Sequence, residues 1–83
     1  MAGFDKKDTF AKMAAIVADE LKIDVQTIKP ESTFADLGAD SLDMVQIIMR
    51  LEEQFGIEIK DEDAEKLESF NDAVEYVQAR RSK

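Results

Sequence analysis

The stretch from Asp40 to Gly56 constrains this chain more than any other. Met44, Ile47, Ile48, Leu51 and Phe55 recur there at helical spacing. Asp40 is placed as the N-cap, because its carboxylate can accept an amide that the first turn leaves without an intrahelical partner. Asp43 adds negative charge in that turn, where the helix dipole favours it. Gly56 follows Phe55 as a stop. The spacing predicts a helix over 41–55. On a wheel at about 100° per residue, with Ser41 at zero, the Met44, Ile47, Ile48, Leu51 and Phe55 group falls between roughly 240° and 340°. Leu42, Val45 and Met49 fall between roughly 40° and 100°. The combined apolar arc of about 220° is far wider than the ~100° stripe of a surface helix. Ser41 and Glu52 interrupt it near its middle. A chain of 83 residues builds one small core, which cannot absorb both halves. The Met44 side is assigned to the core. The Leu42, Val45 and Met49 side is then at least partly exposed beside Ser41. Apolar residues exposed within a charged rim mark an interaction surface, and methionine adapts to several partners.

The other segments arrange themselves around this helix. Phe10, Met13, Val17 and Leu21, with Ile16 alongside, predict a first helix over about 8–22, capped by Asp8 and rich in alanine. Residues 23–40 have no sustained helical period, and Pro30 disfavours helix at Lys29. A loop this long in a compact domain is uncommon and often functional. Its apolar residues Ile23, Val25, Ile28, Phe34 and Leu37 can pin it to the core, so it is expected to be ordered. Gly38 supplies a backbone shape that other residues resist. Beyond Gly56, Ile57-Glu58-Ile59 is a short extended link. A short helix over 61–67 is capped by Asp61, with Ala64 and Leu67 as its apolar side. A last helix over about 70–80 is capped by Ser69, with Asp72 completing a weaker capping box. Phe70, Ala73, Val74 and Val77 form its stripe, and Arg80 and Arg81 complement its C-terminal dipole. The expected fold is all-α: a small four-helix bundle with a short third helix and a long ordered loop between the first two helices. Residues 1–83 form one domain, with about 1–7 and about 81–83 as flexible ends.

Composition narrows the chemistry. There is no cysteine, hence no disulfide, thiolate nucleophile or thiolate metal site. There is no histidine, the commonest general base near neutral pH, so a Ser-His-Asp arrangement is impossible. No run of apolar residues is long enough to span a membrane, and the charged N-terminus does not resemble a secretion signal. The net charge is −8, and residues 40–68 alone hold ten acids against three bases. Phosphate backbones and anionic membranes would be repelled, which excludes nucleic acid and stable membrane insertion as expectations. A basic protein surface is the natural complement. An EF-hand is rejected, because Lys66 stands where that loop requires glycine.

For Ser41, spacing leaves three readings. It can be a helix-start residue. It can be a nucleophile, though no histidine or suitably spaced lysine activates it. It can be modified by another enzyme through a phosphate ester, which a helix N-terminus welcomes. The flanking Asp40 and Asp43 would oppose the added charge. They make sense as contacts for a basic enzyme or as ligands for its metal ion.

The residues Asp36-Leu37-Gly38-Ala39-Asp40-Ser41-Leu42-Asp43 resemble the phosphopantetheine attachment motif of acyl carrier proteins. With Phe34, the Leu51–Ile57 stretch and the run from Asp61 to Lys66, the chain over about 10–80 is similar to the discrete carriers of type II fatty acid synthesis. The resemblance implies a non-catalytic carrier with 4′-phosphopantetheine on Ser41. A carrier-protein synthase (a phosphopantetheinyl transferase) would attach it, using coenzyme A and magnesium. The terminal thiol would hold growing acyl chains as thioesters. By position, Phe34, Leu37, Met44, Ile48, Leu51, Ile59, Ala64, Leu67 and Ala73 are the implied lining for an acyl chain, each equally readable as plain core. Asp40, Leu42, Asp43, Val45, Gln46, Met49, Arg50, Glu52 and Glu53 are the implied docking face for basic patches of fatty acid synthesis enzymes and acyltransferases. Gln46 stands where these carriers usually have glutamate, and Arg50 where they usually have a small neutral residue. That face is therefore expected to be less negative and to dock differently. A cytoplasmic or organellar monomer with transient partners is expected. The alternatives are a specialised carrier for lipid A or polyketide acyl transfer, and a small helical adaptor with no prosthetic group.

The crowding of acids over 40–68 yields a first prediction. Moderate salt or divalent cations should raise the melting temperature by screening repulsion. Thermal denaturation followed by circular dichroism checks this; a flat or falling melting temperature counts against it.

Overall fold

The computed structural model describes residues 4–82. Four helices follow one another: α1 (Lys6–Leu21), α2 (Ser41–Phe55), α3 (Asp61–Ala64) and α4 (Phe70–Arg80), with a 3₁₀ turn at Val25–Thr27 in the long loop. No strand forms among the described residues, and Thr33 and Ser69 pair as one isolated antiparallel bridge. The fold class, the order of elements and the bounds of α2 and α4 agree with the sequence expectation.

The core is where the apolar stripes of α1, α2 and α4 meet. Met13 and Val17 from α1, Ile47, Leu51 and Phe55 from α2, and Phe70, Val74 and Val77 from α4 are almost completely inaccessible to solvent. Each large side chain buried this way contributes about 1.5–3 kcal/mol. Phe70 joins three elements. Its ring meets Phe10 of α1 edge-on at 5.0 Å between centroids and lies 6.1 Å from the ring of Phe34 in the loop. Such aromatic pairs add about 0.5–1.5 kcal/mol beyond the area they bury.

The loop is ordered because it satisfies the start of α4. The first amides of any helix have no partner within it. Here the Phe70 amide donates to the Ser32 carbonyl at 2.7 Å and the Asn71 amide to the Pro30 carbonyl at 2.9 Å. Ser69 and Asp72 close the rest as a capping box. Ile28 and Phe34 are buried, as expected. Val25 is not a pin: it is 45% exposed, because it lies in the 3₁₀ turn with its side chain outward.

Three sequence expectations need correction. α1 starts two residues early, because Asp5 and not Asp8 is the N-cap: the Asp5 side chain accepts the Lys7 amide. At the other end, Lys22 leaves the helix for the left-handed region (φ +60°) and donates its amide to Ala18. α3 is one turn, not two, and Asp61 is its first residue; Lys60 precedes it with no side-chain cap. The third correction concerns the chain ends. Residues 1–3 and 83 of the expected flexible segments lie outside the described residues. Asp5, Lys6 and Lys7 form the start of α1.

Arg81 does not simply face the helix dipole. Its side chain is 2% exposed and donates to Thr9 Oγ1 at 2.7 Å and Asp8 Oδ2 at 3.2 Å. Its guanidinium lies over the rings of Phe4 and Phe55. A buried guanidinium needs such partners, since leaving it unpaired is strongly unfavourable. Ser82 extends the anchor, its amide donating to Phe55 O at 2.9 Å and its hydroxyl to Gly56 O at 2.8 Å.

Asp8 is thereby tied to the pH dependence of stability. The hydrogen bond from Lys12 is the largest effect on its carboxyl and lowers its pKa; burial opposes it, and the bond from Arg81 with the charges of Lys12 and Arg81 keeps the group below its ordinary value. A carboxyl depressed in the folded state contributes stability above its ordinary titration range and loses it as pH falls through the depressed value. Asp8→Asn should therefore lower the melting temperature most near neutral pH. The gap to wild type should close in acid. Melting curves across a pH series test this, and a gap constant with pH would refute the linkage.

Candidate functional site: the start of α2 and its cleft

The turn before α2 is built by local hydrogen bonds. The Leu37, Gly38 and Ala39 amides donate back to carbonyls of Thr33 or Phe34, Ala35 and Phe34 respectively, and the Asp36 amide donates to Thr33 Oγ1 at 2.9 Å. Gly38 sits at φ +90°. A Cβ there would meet nothing within 4 Å, so the backbone conformation and not space is what calls for glycine.

α2 then opens on a reciprocal cap. The Asp43 amide donates to Asp40 Oδ1 at 2.9 Å, and the Asp40 amide donates to Asp43 Oδ2 at 3.2 Å. The sequence reading identified Asp40 as the cap and missed the return bond from Asp43, although an acid three residues after an N-cap is its signal. The two aspartates therefore have a structural task besides any contact with an enzyme. They hold Ser41 as the first residue of α2, exposed. The Ser41 and Leu42 amides lie outside the helical ladder, at the positive end of the dipole.

Two hollows meet at Ser41, and both include Met44 and Ala64. One, of about 640 Å³, lies toward the loop and is lined also by Phe34 and Leu67. The other is a cleft of about 680 Å³ between α2 and α3, lined also by Val45, Ile48, Met49 and Ile59. Of the nine residues implied as an acyl lining, Met44, Ile48, Ile59 and Ala64 line the cleft, and Phe34 and Leu67 the loop-side hollow. Leu51 and Ala73 are buried in the core instead, and Leu37 packs against it half-buried.

The expected docking face divides. Leu42, Val45 and Met49 are 69%, 53% and 57% exposed, as the over-wide arc required. Asp40, Gln46 and Glu53 are exposed beside them, and Asp43 is half-buried. Arg50 and Glu52 are turned elsewhere. Arg50 Nη1 reaches α1, at 2.9 Å from Asp19 Oδ2 and 3.2 Å from Glu20 Oε1. These bonds, Asp19's first, raise its pKa further. The charge that the sequence placed on the α2 face is thus offset by two carboxylates of another helix. Glu52 is half-buried, and its Oε2 accepts the Ile59 amide at 2.8 Å. The wheel held the signal for this: Glu52 lies on the same stripe as Ser41, inside the apolar arc. A further tie gave no sequence signal. Tyr76 of α4 donates its hydroxyl to Asp63 of α3 at 2.8 Å. Burial first, and this bond next, push the phenol pKa up.

Among the described residues no helix is long and apolar enough to cross a membrane. Comparison with known proteins agrees with the motif around Ser41. Residues 11–77 match the family model described as phosphopantetheine attachment site, so the covalent cofactor of this domain is 4′-phosphopantetheine. The chain is 49% identical over 75 residues to an acyl carrier protein of Helicobacter hepaticus, covering 89% of this chain and 99% of that one. It is 56% identical over 71 residues to an acyl carrier protein of Clostridium acetobutylicum, covering 84% and 92% respectively. A third acyl carrier protein, from Thermosynechococcus vestitus, is 49% identical over 74 residues, covering 88% and 91%. An exposed serine on a capped helix start, apolar hollows meeting at that serine, and these matches over most of its length all agree: the chain belongs to the acyl carrier protein family.

Proposed function

We propose that this chain is a discrete, non-catalytic acyl carrier of fatty acid synthesis, and that Ser41 bears its 4′-phosphopantetheine. The observation that carries this is the position of Ser41: exposed, first in α2, and on the rim of both hollows. In attachment, Ser41 Oγ forms a bond to the phosphorus of coenzyme A that bears pantetheine. The bond from that phosphorus to the adenosine-side oxygen breaks, adenosine 3′,5′-bisphosphate leaves, and the hydroxyl proton passes to the transferring enzyme. The resulting phosphodiester lies at the positive end of the α2 dipole, which favours an anion by about 0.3–1 kcal/mol. Asp40 and Asp43 oppose it less than bare carboxylates would, since each accepts a backbone amide. The group supplies the thiol this cysteine-free chain lacks, which would hold acyl groups as thioesters.

The chain's own residues then shelter and present the cargo. Met44, Ile48, Ile59 and Ala64 offer an apolar cleft beside the attachment point. Each methylene lodged there gains about 0.8 kcal/mol. Leu42, Val45 and Met49, flanked by Asp40, Asp43 and Glu53, suit a partner with apolar contacts inside a basic rim. The partners proposed are a phosphopantetheinyl transferase, fatty acid synthesis enzymes and acyltransferases, met transiently by a single-domain monomer in the cytoplasm or an organellar matrix.

Mass spectrometry tests the central claim. Incubation with coenzyme A, magnesium and a phosphopantetheinyl transferase should add the mass of one 4′-phosphopantetheine, and Ser41→Ala should add none. No gain in the wild type, or a gain that survives the substitution, overturns the assignment. A second measurement addresses the docking face. Gln46→Glu restores an acid at an exposed position, so association with the transferase should quicken, and more so at low salt. Unchanged association rates across an ionic-strength series would remove Gln46 from that face.

A further inference from the structure

α3 is the most weakly built element of the fold. It has one turn, no side-chain cap at its start and no buried residue. Three of its residues, Asp61, Glu62 and Asp63, are acidic. Two side-chain hydrogen bonds tie it and its leading link to the longer helices. On the α4 side, Tyr76 donates to Asp63 at 2.8 Å. On the α2 side, the buried Ile59 donates its amide to Glu52 at 2.8 Å. Glu52 and Ile59 both line the α2–α3 cleft, and so does Ser41. Glu52 lies eleven residues after Ser41 on the same stripe, which places it about 16 Å farther along the helix. The Glu52–Ile59 bond therefore crosses the end of the cleft remote from the serine.

We propose that the hydrogen bond from the Ile59 amide to the Glu52 carboxylate is a clasp that closes this cleft, and that Glu52 thereby sets the acyl length the closed cleft accepts. This rests on the carrier reading and deepens it. A short chain extending from the Ser41 end fits between α2 and α3 with the clasp intact. A long chain reaches the clasp and parts Ile59 from Glu52, while α3 stays tied to α4 through Asp63 and Tyr76. Opening exposes a backbone amide and a carboxylate that were paired, so the clasp opposes long chains and leaves short ones unaffected. Glu52 is a positioning residue in this scheme: it shapes the site and takes no part in forming the thioester.

The test uses the full chain loaded enzymatically with butyryl- or hexadecanoyl-phosphopantetheine, with loading verified by mass. Hydrogen exchange of the Ile59 amide, followed by NMR, is read in the unloaded, butyryl and hexadecanoyl forms. Protection should persist with butyryl and fall about tenfold or more with hexadecanoyl, the loss expected for a charge-assisted hydrogen bond. The melting-temperature shift caused by loading is then compared between wild type and Glu52→Ala, with Glu52→Gln as the milder variant. For hexadecanoyl, the stabilising shift should be larger in the variant, because the loaded wild type has already given up the bond. For butyryl, the shifts should match. Equal shifts for hexadecanoyl, or an Ile59 amide that stays protected in that form, overturn the clasp. The amide measurement needs no variant, so poor folding of Glu52→Ala does not rescue the idea. Failure to load at Ser41 is a different outcome: it removes the carrier reading, and the clasp proposal with it.

Discussion

The unpaired amides at helix starts organise this molecule. Every helix begins with N–H groups that its own ladder cannot satisfy, and in so small a chain few acceptors are available. α4 finds them in the carbonyls of Pro30 and Ser32. That choice fixes the path of the long loop, places Phe34 against Phe70, and brings the loop to the turn at Gly38. α2 finds its acceptor in Asp40, and Asp43 returns a bond to the Asp40 amide. The exposed serine between these aspartates is held by their capping. One physical requirement thus links the ordering of the loop to the presentation of Ser41.

Charge is the second constraint. Most of the net −8 lies in residues 40–68, yet the acids there are not equivalent. Asp40 and Asp43 cap a helix, Glu52 holds Ile59, and Asp63 accepts from Tyr76. Glu53 stays exposed on α2. Arg50 reaches across to Asp19 and Glu20, so the seam between α1 and α2 carries an ionic contact. Pairs this exposed contribute only about 0–1 kcal/mol. The effect of Arg50 on the surface is larger than its effect on stability, because the pairing draws its charge from the exposed face of α2 toward α1.

Much of the fold was legible in the sequence. Periodicity together with Asp40, Gly56 and Ser69 located α2 and α4, because caps and stops act within a few residues. α1 was less well bounded, since Asp5 and Asp8 have the same local chemistry. Asp8 pairs with Lys12 one turn on, and only the packed structure shows it drawn to Arg81 as well. α3 is shorter than its sequence suggests: an acidic run with Ala64 and Leu67 looks helical over two turns, and one forms. The cleft was only partly legible. The over-wide arc of α2 announced exposed apolar residues, and the resemblance supplied a use for the inner ones. Yet Leu51 and Ala73 went to the core while Phe34 and Leu67 formed a separate hollow.

The sequence by itself determined the helices, the absence of any His- or Cys-based catalysis, and the serine motif at the start of α2. These follow from residue identity and near-neighbour spacing. Tertiary structure decided where long side chains point when several acceptors compete. Arg81 turned inward to Thr9 and Asp8, Arg50 toward α1, and Glu52 toward the Ile59 amide. Flexible charged side chains can satisfy their bonds in many directions, and only the distances between packed helices select one.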